Sequence, residues 1–415
     1  MNRREFLMMT AAVGTTVGLV PRAYAEPDKI VKPSAKPRNR RPYTGIDWAT
    51  AHQINTTSHG HCCSESMLKE YIRHRFGLIT MSNYYPSAPY YPAAEMTVNY
   101  YRCHHDFPVM VDGVRTPGPF DWNEILKSWI DKIDPKFAKQ FPFKEGGKIF
   151  PNFPKDLLEA PNAEHHNFLL KNGRRAGSLH MCAPGSLFKS GTFDAHNDFG
   201  SAWKYGKYDF GSGEFWGTAI DRMIAAMEYP DGGGVTINHP TWSKLDRFLM
   251  LDILDWDPRV LGIEVLEAGV NSENYWDWAL STGRQCYGLF VPDWSIRGEV
   301  FGVNVLVTPE RTAHACMKAY RDGNFYGATH GFGELKFTKI VFDGKTVFAS
   351  TDKPARFEVI TSKGVVKKSE GTSIIWEVTP NGDSKGPRVD VFARVKAYAA
   401  DGCGETLYSQ PFMLF

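Results

Sequence analysis

No stretch of these 415 residues is long and apolar enough to span a bilayer, which argues against stable membrane insertion through a helix. The cysteines, seven in all, are Cys62, Cys63, Cys103, Cys182, Cys286, Cys316 and Cys403. Their odd number and irregular spacing make a poor disulfide framework, and no C-x-x-C pair occurs. Most of them read as small buried hydrophobes, while Cys62 and Cys63 stand beside a histidine pair as alternative soft ligands. No G-x-S-x-G elbow is present, which weakens a serine-hydrolase reading. A surplus of one charge is lacking too, with 48 Lys and Arg against 46 Asp and Glu. Binding to a phosphate backbone wants a basic surplus, so no nucleic-acid partner is expected.

What is present starts with the first 25 residues. Asn2-Arg3-Arg4-Glu5-Phe6-Leu7 is a twin-arginine start, Met8 to Val20 is modestly apolar, and Ala23-Tyr24-Ala25 gives a small-x-small cleavage site. Export to the periplasm or the exterior is the expectation. Without Arg3, Arg4, Arg22 and Glu5, the 48 basic and 46 acidic residues become 45 of each. Residues 26–42, rich in Pro, Lys and Arg, read as a flexible leader. The remaining length suits one large domain and one small one.

Along the chain, Ser64 caps a predicted helix with Met67, Leu68, Tyr71 and Ile72 on one face and Gly77 at its end. Leu78 to Met81 reads as a buried strand that delivers Ser82, Asn83 and an aromatic loop, Tyr84 to Tyr91. Residues 103–160 read as an insertion or lid with one helix, Asn123 to Ile133. A hairpin is expected from Glu164 to His180. Helices and strands then alternate: a stripe from Trp216 to Met227, a strand 235–237, a helix 244–254, a strand 262–266, a helix 275–280 and a strand 287–291. A final helix is expected with Thr308 as cap, Pro309 in its first turn and Gly323 at its close. This alternation implies an α/β fold with a parallel sheet or barrel over 43–332. From 333 to 415 the period becomes two, with antiparallel strands at Lys336–Phe342, Phe357–Ile360, Ile374–Val378 and Val389–Ala397 and a turn at Asn381-Gly382. That reads as a small β-sandwich-like domain packed on the first.

Ligand-type residues stand just past the strand-like runs: His59, His61, Asn83, Glu164, His180, His239 and Asp293. Two imidazoles spaced i and i+2 on an extended segment point the same way, so His59 and His61 can face one ion. A hard or borderline ion needs several N and O donors converging from different segments. The expected cofactor is therefore one or two divalent ions (Zn, Mn or Fe). Glu264, also at a strand end, is placed to orient a ligand histidine. Ser82, Tyr84, Tyr85 and His166 are candidate contacts for a small-molecule substrate. His165, His166 and His196 are candidate proton carriers.

These residues resemble the PHP superfamily, named for its polymerase and histidinol-phosphatase members. The resemblance rests on His59-Gly60-His61, Gly77-Leu78-Ile79-Thr80-Met81-Ser82-Asn83, Asn162-Ala163-Glu164, Gly234 to Pro240, and Val265 to Trp294. It implies a distorted, TIM-related β/α barrel with metal at its C-terminal rim. It also implies His59 and His61 as the opening ligand pair, Glu164 as a bridging carboxylate, and His180, His239 and Asp293 as further ligands. The chain departs from the family pattern at Cys62, at Ser82-Asn83 (usually Asp-His) and at Asp293-Trp294-Ser295 (usually Asp-x-His). A neutral Asn is a weaker donor than imidazole, which implies one or two ions rather than three. The implied function is an exported, metal-dependent hydrolase of ester bonds, phosphoesters first. The alternative is a PHP-like protein that binds a small ligand or carbohydrate without turnover.

Overall fold

A computed structural model describes residues 41–62, 64–82, 93–95, 148, 150–171, 174–187, 193–194, 204–205, 208–210, 215–294, 296, 301–329, 334–378, 390–400 and 404–414. The signal, most of the leader, Asn83, Tyr84 and Tyr85, helix 123–133, His196, Ser295 and the Asn381-Gly382 turn lie outside these residues.

β1 (His52–Thr56) runs straight into the loop that carries His59 and His61. α1 (Glu65–Arg73) begins as expected, with the Ser64 hydroxyl accepting from Met67 N at 3.3 Å. Met67, Leu68 and Tyr71 set a narrow buried sector, so Ile72 is 44 % exposed instead of facing the core. β2 (Leu78–Ile79) pairs in parallel with β3 (Leu158–Glu159). β4 (Glu164–Lys171) and β5 (Arg174–Cys182) form the expected hairpin. β6 (Phe193–Asp194), β7 (Lys204–Tyr205) and β8 (Tyr208–Phe210) make a separate small sheet.

The alternating stretch follows. It comprises α2 (Trp216–Ala225), β9 (Val235–Ile237), α3 (Arg247–Trp256), β10 (Val260–Glu267), β11 (Val270–Asn271), α4 (Glu273–Ser281) and β12 (Tyr287–Val291). β9, β10 and β12 pair in parallel, while β5 joins β9 antiparallel and so ties the hairpin into one six-stranded sheet. Ile220, Met223, Met250, Ile253 and Trp276 from the helices pack with Val235, Ile237 and Ile263 of this sheet. Burying such stripes removes apolar surface from water, about 1.5–3 kcal/mol per large side chain.

β13 (Gly302–Thr308) and β14 (Phe325–Thr329) flank α5 (Ala313–Asp322). Thr308 ends a strand instead of capping the helix. The cap is Thr312, whose side chain accepts from Ala315 N at 3.1 Å, because Pro309 and the residues after it turn the chain before a helix can start. Gly323, left-handed at φ 76°, closes the helix. β15 (Phe337–Phe342), β16 (Thr346–Thr361), β17 (Gly364–Glu377), β18 (Phe392–Ala399), β19 (Thr406–Tyr408) and β20 (Phe412–Met413) complete the chain.

The pairing does not show the expected barrel. β1 hydrogen-bonds antiparallel to β13, His52 opposite Thr308, and both belong to a nine-stranded sheet that runs on through β14 and β19 to β18, β16 and β15. Among the described residues no sheet closes on itself, and the fold is a mixed α/β one with few helices and many strands. The C-terminal strands are therefore continuous with β1, β13 and β14. None of the described helices is long and apolar enough to cross a membrane. The ends of β1, β2, β9, β10 and β12 and one face of the β4–β5 hairpin meet at one place.

Candidate metal centre

Each donor arrives by a local device. Gly60 lies between the two histidines because a Cβ there would collide with the Tyr71 hydroxyl and stand 2.9 Å from the Thr57 methyl. Its N–H donates to Ser82 Oγ at 2.9 Å, and Ser82 N donates back to Gly60 O at 3.0 Å. Asp293 is bridged to the same segment, with His61 N donating to Asp293 O at 3.3 Å and Asp293 N to His59 O at 3.2 Å. On β4, Glu164 and His166 share a face while His165 takes the other. The hairpin register sets His166 opposite His180, and their rings stack at 3.8 Å and 10°. The Asn162 amide donates to Ser58 O (2.8 Å) and Thr80 O (3.2 Å) and accepts from Ala183 N (2.9 Å), which pins three chain segments.

His239 and Asp293 hold positive φ values, 28° and 48°, beside Pro240 and Pro292. Non-glycine residues in such conformations cost on the order of 1–3 kcal/mol each and collect at functional sites. Both side chains here point into the cluster.

The donor atoms converge. His59 Nε2 stands 3.3 Å from His61 Nε2, 3.4 Å from Glu164 Oε2 and 3.1 Å from Asp293 Oδ1. His61 Nε2 lies 3.3 Å from Glu164 Oε2 and 3.1 Å from Asp293 Oδ1. The other oxygen of Glu164 faces a second group, His180 Nδ1 at 3.1 Å and His239 Nε2 at 3.3 Å, while His166 Nε2 is 3.3 Å from Oε2. Ligands about 2.0–2.1 Å from an ion stand roughly 3.0 Å apart when octahedral and 3.4 Å when tetrahedral. The observed edges fall in that range. Glu164 Oε2 and Asp293 Oδ1 are buried yet have no hydrogen bond of acceptable geometry, although imidazole nitrogens surround them. Three sets of these side chains, His59-Glu164-His239, His59-His61-Asp293 and Glu164-His166-His180, are each compact enough to hold an ion. The residues fit a divalent metal, and Glu164 is shared between sets.

Orientation comes from behind. Glu264 Oε1 lies 2.8 Å from His59 Nδ1, and its Oε2 accepts from His239 N at 2.7 Å. That bond leaves the His59 Nε2 lone pair for the cluster. Ser243 Oγ stands 3.0 Å from His239 Nδ1 and does the same for that ring. Trp294 stacks on His61 at 4.1 Å and 11°.

The electrostatics separate the imidazoles. Burial lowers His59, but the carboxylates around it, Asp293 foremost, more than reverse this and leave it well above the usual histidine value. Burial also raises Glu164 and Asp293, yet the facing imidazoles, His59 first, hold both well below the carboxylate range. His180 is pushed down by burial to about 3 and His166 is lowered too, so both are neutral, the form that ligates. Burial, with Glu264 and Asp293 beside it, pushes Glu267 up to about 8.

The structure thus brings His59, His61, Glu164, His180, His239 and Asp293 together, with Glu264 behind them. Asn83, Tyr84 and Tyr85 lie outside the described residues, as do Cys63 and Ser295. Ser82, expected at a substrate cleft, is fully buried and bonded to Gly60, so it shapes the loop instead. His166, expected to touch substrate, stands among the donors. His165 faces away, 3.0 Å from Asn167 Oδ1, and burial pushes it down to about 4. Cys62 is buried and outside the donor sets, as Cys182, Cys286 and Cys316 are. Sequence reasoning missed Ser243. Ser243 was within reach, since it follows His239 by one helical turn.

No protein-family model matches the chain, and no curated protein does. Among solved structures, it is similar to a two-domain protein containing a predicted PHP-like metal-dependent phosphoesterase from Bacteroides vulgatus. The two are 9 % identical over 88 % of this chain and 95 % of that one, with a TM-score of 0.35, an overlap too loose to transfer a function.

Proposed function

We propose that this chain is an exported, metal-dependent hydrolase of ester bonds, acting on a small molecule with phosphoesters as the first class. One observation carries this reading: His59, His61, Glu164 and Asp293 set their donor atoms 3.1–3.4 Å apart around one point, with two carboxylate oxygens lacking a hydrogen bond. A divalent ion there supplies Lewis acidity and makes water acidic enough to yield hydroxide near neutral pH. The chain's own residues do the rest. Glu264 keeps the proton of His59 on Nδ1, Ser243 and Glu264 hold His239 in place, and Glu164 offers one oxygen to each half of the donor set.

A binding protein without turnover is the second reading, favoured by the lack of histidine after Asp293-Trp294. Purified protein loaded with Zn or Mn and assayed on phosphomonoesters, phosphodiesters and carboxyl esters separates the two. Turnover that disappears in His59→Ala and His239→Ala supports the enzyme. Metal retention with no turnover on any class supports the binder. No metal retention sinks the enzyme.

A further inference from the structure

Two tryptophans stand over the donor cluster with much of their surface in water. Trp294 is 43 % exposed and lies flat on His61, 4.1 Å between centroids, so the ring of a ligand group continues outward as an indole plane. Trp242 is 57 % exposed and meets the other half of the cluster, 5.0 Å from the His239 ring and 5.9 Å from His180. Exposed apolar side chains scattered singly need no explanation, whereas apolar surface gathered at a site does. Here both belong to the loops that deliver ligands, one residue after Asp293 and three after His239.

We propose that Trp294 and Trp242 form a stacking platform for an aromatic ring on the substrate, making the preferred substrate an aryl ester. This rests on the hydrolase reading above. Both indoles border ligand rings, Trp294 on His61 and Trp242 beside His239 and His180, so a ring on a substrate held at the cluster can reach them. A flat ring there gains offset stacking as well as apolar burial. A sugar gains less from such a plane, because its hydroxyls need polar partners and, among the described residues, the hydroxyls beside Trp242 each already make a bond. Ser243 Oγ is engaged with His239 Nδ1 at 3.0 Å, and Thr241 Oγ1 with Ser272 Oγ at 2.7 Å. Charge agrees. Among the described residues no lysine or arginine forms an ion pair with Glu164, Asp293 or Glu264.

Calorimetry on the Zn-loaded full chain tests this without turnover, using phenylphosphonate, methylphosphonate and glucose 1-phosphate. Phenylphosphonate should bind about tenfold more tightly than methylphosphonate, the scale of one good ring contact. Trp294→Leu and Trp242→Ala should each bring that ratio toward one, with bound zinc constant in Trp242→Ala. Trp242→Ala changes a surface residue, so it keeps the test alive if Trp294→Leu folds poorly. Equal binding of the two phosphonates, or an unchanged ratio in both variants, would overturn the platform. Tighter binding of glucose 1-phosphate than of phenylphosphonate would overturn the aryl assignment. Elemental analysis of the same samples tests the metal reading separately. A chain that holds no metal yet keeps the aryl preference through both tryptophans would sink that reading and leave the platform standing.

Discussion

Two buried ionic clusters in this molecule solve the same problem in opposite ways. Arg394 of β18 is 1 % exposed and meets carboxylates directly: Nε to Asp277 Oδ1 at 2.9 Å and Nη2 to Glu273 Oε2 at 2.8 Å, with the guanidinium 4.8 Å over the Trp276 ring and only Nη1 left without a hydrogen bond. Lys396 adds a bond to Glu273 at 3.0 Å. Opposite charges meet in hydrogen-bond geometry, and the cluster fastens the C-terminal strands to α4. The cluster around Glu164 has no such closure. It gathers His59, His61, His166, His180 and His239 with Glu164 and Asp293, no lysine or arginine pairs with those two carboxylates among the described residues, and their Oε2 and Oδ1 atoms are left without proper hydrogen bonds. Burying charge unpaired costs several kcal/mol per ion. The first cluster carries its own cation, Arg394, whereas the second has no Lys or Arg among the described residues and is compact enough to hold a metal ion.

Four substitutions or conditions separate the two clusters, beginning with the largest effect. Glu164→Gln should empty the metal centre and cut hydrolysis at least about a thousandfold, roughly 4 kcal/mol of transition-state stabilisation, as read by elemental analysis and kcat/KM. Retention of full metal and activity would mean that Glu164 is only a structural acceptor. Arg394→Met should do the reverse, lowering stability in urea while leaving bound metal unchanged. A fully buried pair broken on one side costs about 3–5 kcal/mol, and because Asp277 is 37 % exposed the expected loss here is nearer 2–3 kcal/mol.

Glu264→Gln sharpens the contrast, since this residue touches ligands without belonging to a donor set. A weakening of zinc binding by about 10–100-fold in a chelator competition, with the fold intact, is expected. The smallest effect concerns pH. Burial holds His165 at about 4 in the folded chain against 6.5 when unfolded. Below pH 6.5 the unfolded chain takes up a proton that the folded one refuses, so stability falls as pH drops toward 4, by about 2 kcal/mol at pH 5. In chelated protein, urea melts at pH 7 and pH 5 should show this slope, and His165→Gln should lose that share of it.

The legible parts were those governed by local rules. The Ser64 cap, the Gly323 stop and the parallel strands ending at His239 and Asp293 follow from capping chemistry and apolar runs. The donors were legible for the same reason, because strand ends deliver side chains to one rim. Pairing between distant segments was not. Nothing local in His52–Thr56 says that it will pair with Gly302–Thr308, so β1, β13 and β14 went unread, and where a distorted barrel was expected the described residues show a nine-stranded sheet that does not close. Thr308 and Thr312 offer the same capping chemistry, and only the turn after Pro309 decides between them. The role of Ser82 was also hidden, since an outward contact and an inward bond to Gly60 look alike in one dimension.

Metal content of the full chain, purified without added metal or chelator, tests the central claim most directly. The account predicts one or two equivalents of Zn, Mn or Fe per chain, and a fall in melting temperature when a chelator strips them. A chain that holds no metal, takes up none of these ions at micromolar concentration and melts identically with and without chelator would contradict it.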